Sequence, residues 1–106
     1  ARWVVAMALA RVGNDAVEAL IGVVRTADDG ITNPAVWALA EIGDPRAVDP
    51  LVAVLQDNHR SESCRALIAA ALLKLGDPAG IARVQEAFDL LGEEFADLAM
   101  VAYEGT

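Results

Sequence analysis

Apolar residues recur along the chain at the spacing of helices rather than with the period of two that marks a strand. Val36, Leu39 and Ile42 recur at every third position, with alanines between them. The next apolar stripe, in residues 48–55, follows the i, i+3, i+4, i+7 spacing of one helix face. Since no stretch alternates with a period of two, the pattern predicts helices and no sheet.

The helical pattern occurs three times. Three segments align, with the sequences ALARVGN at residues 8–14, ALAEIGD at 38–44 and ALLKLGD at 71–77. Each is followed by a second apolar segment, so each copy predicts two helices. Units of about 30 residues bury their apolar faces only against neighbouring units, which is typical of a stacked helical array.

Turn residues predict the ends of the helices in each copy. In the second copy, Asn33 is a candidate N-cap and Pro34 a candidate first helical residue. Gly43 predicts the end of that helix, because glycine readily adopts the left-handed conformation of a helix C-terminus. We expect Asp44 and Pro45 to cap and start the second helix. After the third copy, a last helix is predicted from four small or apolar positions, namely Phe95, Leu98, Ala99 and Ala102.

The repeat also carries an arginine at a fixed place in the first and third copies and a Gly-Asp-Pro turn in the second and third, whereas the first copy lacks the proline after Asn14. Arg2 and Arg65 lie eleven residues before the repeat glycine, where the second copy has Thr32, and residues 42–51 read IGDPRAVDPL. This pattern resembles the HEAT-like repeats of the phycocyanobilin-lyase type, over residues 1–91. The resemblance implies an all-α fold, an α-α superhelix or α-solenoid of about three HEAT-like helix pairs plus a C-terminal capping helix. The expected boundaries within this single domain are about 1–30, 31–58 and 59–91 for the pairs and about 93–104 for the cap.

Composition restricts the class of protein. Hydrophobic residues make up 56% of the 106 residues, so the chain is not intrinsically disordered. Sixteen acidic residues against eight basic ones give a net charge of −8, which argues against a nucleic-acid surface. No apolar run approaches the roughly 20 residues of a membrane span. We therefore expect a cytoplasmic protein with neither nucleic-acid nor membrane partners. The acidity fits a basic partner or adaptation to high salt, and both remain open.

Few residues offer chemistry. His59 is the only histidine and lies in a polar linker, and Cys64 is the only cysteine, so we expect a solvated loop histidine and a structural thiol. We expect Arg2 and Arg65 to lie along the stack and to pair with an acidic residue of an adjacent turn, such as Asp44 or Asp77. HEAT-like hydroxylases carry repeated His-Glu pairs for iron, and this sequence has none. A DNA-lesion enzyme built on such repeats would need a basic concave surface, and the net charge of −8 argues against that class of enzyme. The sequence therefore predicts no enzyme, no metal and no cofactor.

The resemblance implies that the second helices line the concave face of the array. The outward positions of these helices combine a small, apolar centre with an acidic rim. We expect a protein or peptide partner, with basic flanks, to bind this face. The predicted partner-binding residues are Glu18, Gly22, Val23, Asp49, Ala53, Val54, Arg83, Glu86 and Asp89. The leading function is a non-enzymatic protein-interaction scaffold. The alternative is a bilin-lyase-like protein or lyase subunit that handles a tetrapyrrole and its carrier protein.

Three large apolar side chains fall where the repeat usually places polar ones. Met7 and Trp37 hold equivalent places six residues before their glycines, and Trp3 lies one turn before Met7. A patch of this kind is a candidate surface for partner docking or for a homo-oligomer. The alternatives are that a further N-terminal segment covers the patch or that the first helix is rotated.

Overall fold

Six α-helices make up most of the computed structural model, which describes residues 16–26 and 28–104. A short 3-10 helix, Pro45–Ala47, leads into the third α-helix. The described residues contain no strand, and the all-α prediction is confirmed. The predicted first helix of the first copy, with Arg2, Trp3 and Met7, falls outside the described residues. The helices are α1 Val17–Thr26, α2 Asp29–Ile42, α3 Val48–Leu55, α4 Glu62–Leu75, α5 Pro78–Leu91 and α6 Glu93–Glu104.

Glycine ends the first helix of the second and third copies, as predicted. Gly43 and Gly76 have φ angles of 76° and 75°, in the left-handed region. The backbone N–H of Gly43 donates to the Leu39 carbonyl at 3.0 Å, which satisfies one of the carbonyls left open at the helix end. The next residue then caps the following turn, which is the 3-10 helix Pro45–Ala47 in the second copy and the start of α5 in the third. The Asp44 carboxylate accepts the Arg46 backbone N–H at 2.8 Å.

The predicted start of α2 is wrong. The helix begins at Asp29, and its N-cap is Asp28, whose side chain accepts the Ile31 backbone N–H at 3.3 Å. Pro34 therefore lies inside the helix and Asn33 is not a cap. Proline lacks an N–H, so its position in the second turn costs the one backbone hydrogen bond that would reach the Gly30 carbonyl. Pro34 is buried, and the helix continues past it to Ile42.

The helices form two layers. The first-helix layer contains α2, α4 and α6 side by side, and the second-helix layer contains α1, α3 and α5. Each second helix also packs against the first helix that follows it. The last helix, α6, packs mainly on α4, in the place that the first helix of a further repeat would take. Two stacked layers of helix pairs are the arrangement expected of an α-solenoid.

Small residues bring the helices close together. The alanines of α4 at positions 66, 69, 70 and 71 are buried, because this helix is covered on several sides. A Cβ added to Gly80 of α5 would lie 3.3 Å from Cδ2 of Leu72, which shows how closely α5 approaches α4. The larger fully buried side chains include Leu39, Leu51 and Phe95. No helix in residues 16–26 and 28–104 is long and apolar enough to cross a bilayer.

Candidate functional site

The outward surface of α1, α3 and α5, called here the second-helix face, carries most of the predicted partner-binding residues in exposed positions. Val23 is an exception, since it is half-buried and packs against the core. These positions belong to three different helices of one layer, so one ligand can contact several repeats. The exposed members are Glu18, Gly22, Asp49, Ala53, Arg83, Glu86 and Asp89.

The predicted outward position of Val54 is wrong. Its side chain is 5% exposed and belongs to the core. The helix α3 lies between α1 and α5 in the second-helix layer and packs against both. Neighbours on two sides therefore bury Pro50 and Val54 as well as Leu51. The apolar centre expected on this face is therefore smaller than the sequence indicates. At the middle repeat it is reduced to Ala53.

Ion pairs partly neutralise the second-helix face. Arg46 Nη1 lies 3.3 Å from Glu18 Oε1, and Arg46 Nη2 lies 2.9 Å from Asp44 Oδ2. Hydrogen bonds from the Arg46 side chain and backbone lower the pKa of the Asp44 carboxyl, and the same side-chain bond raises the pKa of Arg46. On α5, Arg83 Nη1 lies 3.0 Å from Glu86 Oε1. These acidic groups are thus held close to bases.

A cleft opens in the second-helix face between the ends of α3 and α5. It has a volume of about 230 Å³ and combines two predicted residues, Arg83 and Glu86, with apolar ones. Leu90 is 82% exposed at its edge. Leu90 does not lie on the apolar stripe of α5 that packs Val84 against the core. A leucine outside that stripe is the feature of the sequence that could have indicated an exposed apolar contact here. The lining residues are Leu55, Gln56, Asn58, Arg65, Arg83, Glu86, Ala87, Leu90 and Leu91. We call this the α3–α5 cleft.

Arg65 does not pair with Asp44 or Asp77, so that prediction is wrong. Its Nε donates to the Leu55 carbonyl at 2.8 Å. Leu55 is the last residue of α3, so its carbonyl has no partner within the helix and is a strong acceptor for a guanidinium. The arginine of the third copy therefore ties the start of its own first helix to the end of the preceding second helix.

Arg60 plays the same part where the second copy has Thr32 instead of an arginine. Its Nη2 donates to the Val24 carbonyl at 2.7 Å, at the end of α1, and its Nη1 donates to Thr32 Oγ1 at 3.3 Å. Thr32 is fully buried. Val24 is the counterpart of Leu55 in the repeat alignment. A guanidinium therefore contacts the C-terminal end of α1 and that of α3. It belongs to Arg60 in the first case and to Arg65 in the second. The sequence pattern did not indicate the role of Arg60.

The comparison with known families agrees with this layered array of helix pairs. A family model described as HEAT repeats matches residues 1–72 and 35–90. The chain belongs to the HEAT-repeat family. Neither a search of curated proteins nor a search of solved structures found a match. The matched residues cover the repeat helices of both layers and end just before α6.

His59 and Cys64 lie in contrasting surroundings in this HEAT-repeat chain. His59 is exposed, and its backbone N–H donates to Asp57 Oδ1 at 2.9 Å. Cys64 is fully buried, and its backbone N–H donates to Ser61 Oγ at 3.1 Å, the N-cap contact of α4. Within the described ranges, no three His, Cys, Asp or Glu side chains are grouped so that they could hold a metal ion.

Trp37 lies on the first-helix layer of the HEAT-repeat stack and is partly exposed. Lys74 Nζ of α4 lies 4.5 Å from the centre of its ring, and the same nitrogen lies 2.6 Å from Glu41 Oε1. A cation over an aromatic face is attracted by the ring quadrupole. One face of Trp37 is therefore already occupied. Because Trp3 and Met7 lie outside the described residues, the proposed interface patch stays a prediction.

Proposed function

We propose that this HEAT-repeat chain is a non-enzymatic scaffold that binds a protein or peptide with basic flanks on its second-helix face. We infer that this face is the concave side of the array. HEAT repeats commonly mediate protein–protein interaction, and stacked repeats suit that task because they form extended surfaces built from several equivalent helices. The observation that carries the proposal is the α3–α5 cleft, which is the part of this face that joins exposed leucines to charged side chains.

The chemistry of the cleft suits a peptide. Leu90 and Leu91 offer apolar contacts at its edge, and the Glu86 carboxylate can accept from a basic side chain. Gln56 and Asn58 are exposed and carry amide groups that can both donate to and accept from a peptide backbone. An apolar anchor with a few polar groups around it is the usual composition of a recognition pocket.

Charge favours basic flanks on the ligand. Glu18, Asp49 and Asp89 are exposed on the same face, outside the cleft. The whole chain carries −8. Carboxylates at the rim of an apolar site mainly increase the association rate of a basic partner and select against acidic ones. The ion pairs of Glu18 and Glu86 can be exchanged for pairs with the ligand, because both are exposed and weak.

The experiment is affinity capture from source cells with three baits, followed by mass spectrometry. The baits are the wild type, Leu90→Glu in the cleft, and Gln85→Glu as a control. Gln85 is exposed on the same helix and does not line the cleft, so its variant adds the same charge elsewhere. We expect a partner that the wild type and Gln85→Glu retain and Leu90→Glu loses. Equal recovery by Leu90→Glu would overturn the proposed site.

The bilin-lyase-like alternative rests on the resemblance of the repeats alone. It predicts that a free bilin binds the second-helix face and changes its absorbance spectrum. An absorbance titration of the wild type with a bilin tests this directly. A spectrum that is the plain sum of bilin and protein would remove the alternative and leave the scaffold proposal intact.

A further inference from the structure

Part of the apolar surface of α6 is not covered by any of the residues 16–26 and 28–104. Phe95 and Ala99 of α6 are fully buried against the rest of the fold, whereas Leu98 is 44% and Val101 69% exposed. Leu98 and Val101 line an open groove of about 370 Å³ between α6 and the first residue of α4. We call this the α4–α6 groove. Its lining residues are Glu62, Glu94, Asp97, Leu98 and Val101.

The charged residues of this groove are all acidic. Glu62, Glu94 and Asp97 lie around the two apolar side chains, and the lining contains no basic residue. None of these three carboxylates has an ion-pair partner in the described part of the chain. By contrast, Glu41 and Glu86 each lie within 3.0 Å of a basic nitrogen. The groove therefore holds negative charge that the fold itself does not neutralise.

The groove has the spacing of a helix-binding surface. Glu94, Leu98 and Val101 follow each other at i, i+4 and i+7 along α6, and Asp97 lies beside them, so they form one stripe. A helix that lies along such a stripe contacts it through residues spaced three and four apart. Apolar side chains of that helix would cover Leu98 and Val101. Lysines or arginines beside them would reach the carboxylates.

Charge also decides against a second copy of this chain. The sequence of α6 has four acidic residues and no basic one. Two copies that met through this groove would bring the carboxylates of both lining sets together without a cation between them, and like charges at an interface are unfavourable. A basic ligand would instead be attracted, because its cations would lie beside these carboxylates. We propose that the α4–α6 groove docks a basic amphipathic helix of another protein.

This inference stands apart from the proposed function, because the groove belongs to the first-helix layer and shares no residue with the α3–α5 cleft. The probe is a synthetic amphipathic peptide of about 18 residues, or five helical turns, with leucines on one face and lysines beside them. The matched probe has glutamates in place of the lysines. Binding of each fluorescently labelled peptide to the whole chain is measured by anisotropy at low and at physiological salt.

Three variants distinguish a groove from general attraction. Asp97→Lys reverses a charge inside the groove, and Val101→Ser removes an apolar contact there. Gln85→Lys adds one positive charge at an exposed residue that lines neither this groove nor the α3–α5 cleft, and is the control. All three residues are exposed, so circular dichroism and the thermal midpoint should change little.

We expect the wild type to bind the lysine peptide and not the glutamate peptide. Asp97→Lys should weaken binding of the lysine peptide at least about tenfold, and Val101→Ser by roughly fivefold, with Gln85→Lys changing affinity by less than about twofold. A loss of binding free energy for Gln85→Lys at least half as large as that for Asp97→Lys would overturn the proposal, because the two variants change the charge by one and two units and such a ratio shows attraction by overall charge alone. No effect of Val101→Ser, no binding of the lysine peptide, or a wild-type dimer in sedimentation that Asp97→Lys strengthens would also overturn it.

Discussion

Arg60 should be a major contributor to stability although it lies in a linker. The change to test is Arg60→Ala. It removes the guanidinium that donates to the Val24 carbonyl at 2.7 Å and to Thr32 Oγ1 at 3.3 Å. The Arg60 side chain is only 14% exposed, so water replaces these bonds poorly. The loss should therefore separate the end of α1, the start of α2 and the linker before α4.

The expected size follows from the two hydrogen bonds. A hydrogen bond to a charged group contributes about 1.5–3 kcal/mol net, and the two bonds share one side chain and are not additive. We expect Arg60→Ala to lower the free energy of unfolding by about 2–3 kcal/mol. Arg60→Lys can keep the short bond to Val24 but loses the planar fork that reaches both acceptors, so it should lose about half as much. Arg65→Ala removes one such bond, to Leu55, and should cost about 1.5–2 kcal/mol.

Urea denaturation followed by circular dichroism measures these differences, provided that the slope against urea stays the same. Arg25→Ala is the matched control, because Arg25 follows Val24 in the chain and is exposed. It should change stability by less than about 0.5 kcal/mol. A double-mutant cycle of Arg60→Ala with Thr32→Val isolates the part that depends on the threonine hydroxyl, expected at about 1 kcal/mol. If Arg60→Ala proves no more harmful than Arg25→Ala, the guanidinium does not hold the junction.

Three further substitutions test other parts of the fold. Gly22→Ala should raise the free energy of unfolding by about 0.5–1 kcal/mol, since an added Cβ meets no atom within 4 Å on this helical residue. Gly43→Ala should lower it by about 1–2 kcal/mol in the same urea titration, because φ is 76° there. Equal effects of the two alanines would contradict the conformational reason. Phe95→Ala should lower the free energy of unfolding by about 3–5 kcal/mol, since the ring is fully buried; a loss below about 1 kcal/mol would show that α6 is dispensable. The fourth test concerns pH. Because Arg46 lowers the pKa of Asp44 below its ordinary 3.8, the stabilisation is present above that value and disappears as the pH falls through the lowered pKa. The stability difference between the wild type and Asp44→Asn should therefore be constant near neutral pH and shrink on acidification, and a difference that grows toward acid would refute the assignment.

The sequence predicts those features that depend on local geometry. Gly43 and Gly76 end their helices because no other residue adopts that φ so readily, and the aspartates that follow them cap the next turn. The start of α2 differs from the predicted one because two capping signals compete. Asn33 precedes a proline, but Asp28 captures the free N–H group of Ile31 one turn and a half earlier. Where two capping signals of similar strength lie close together, the packing of the helix determines which of them becomes its start.

Positions that depend on neighbouring helices were less predictable. The sequence places Val54 outward and groups Leu98 with Phe95 and Ala99 in the pattern that predicts the last helix, whereas Val54 is buried and Leu98, unlike those two, is 44% exposed. Both outcomes follow from which helices lie on either side of α3 and α6, and a single-helix pattern does not contain that information. The contact of Arg60 with Val24 spans 36 residues and has the same cause. The repeat alignment identifies the missing arginine at Thr32 but not its substitute.

The central place of α4 has a consequence for how the molecule opens. Among the described helices, α4 packs against α2, α3, α5 and α6, whereas α6 packs against α4 and α5. Amide hydrogens of α4 should then exchange with solvent only when the whole stack unfolds, and those of α6 through partial opening that costs less. The protection of backbone amides should decline from α4 toward α6. Exchange at the C-terminal end thus reports detachment of a single helix, separately from the loss of the array.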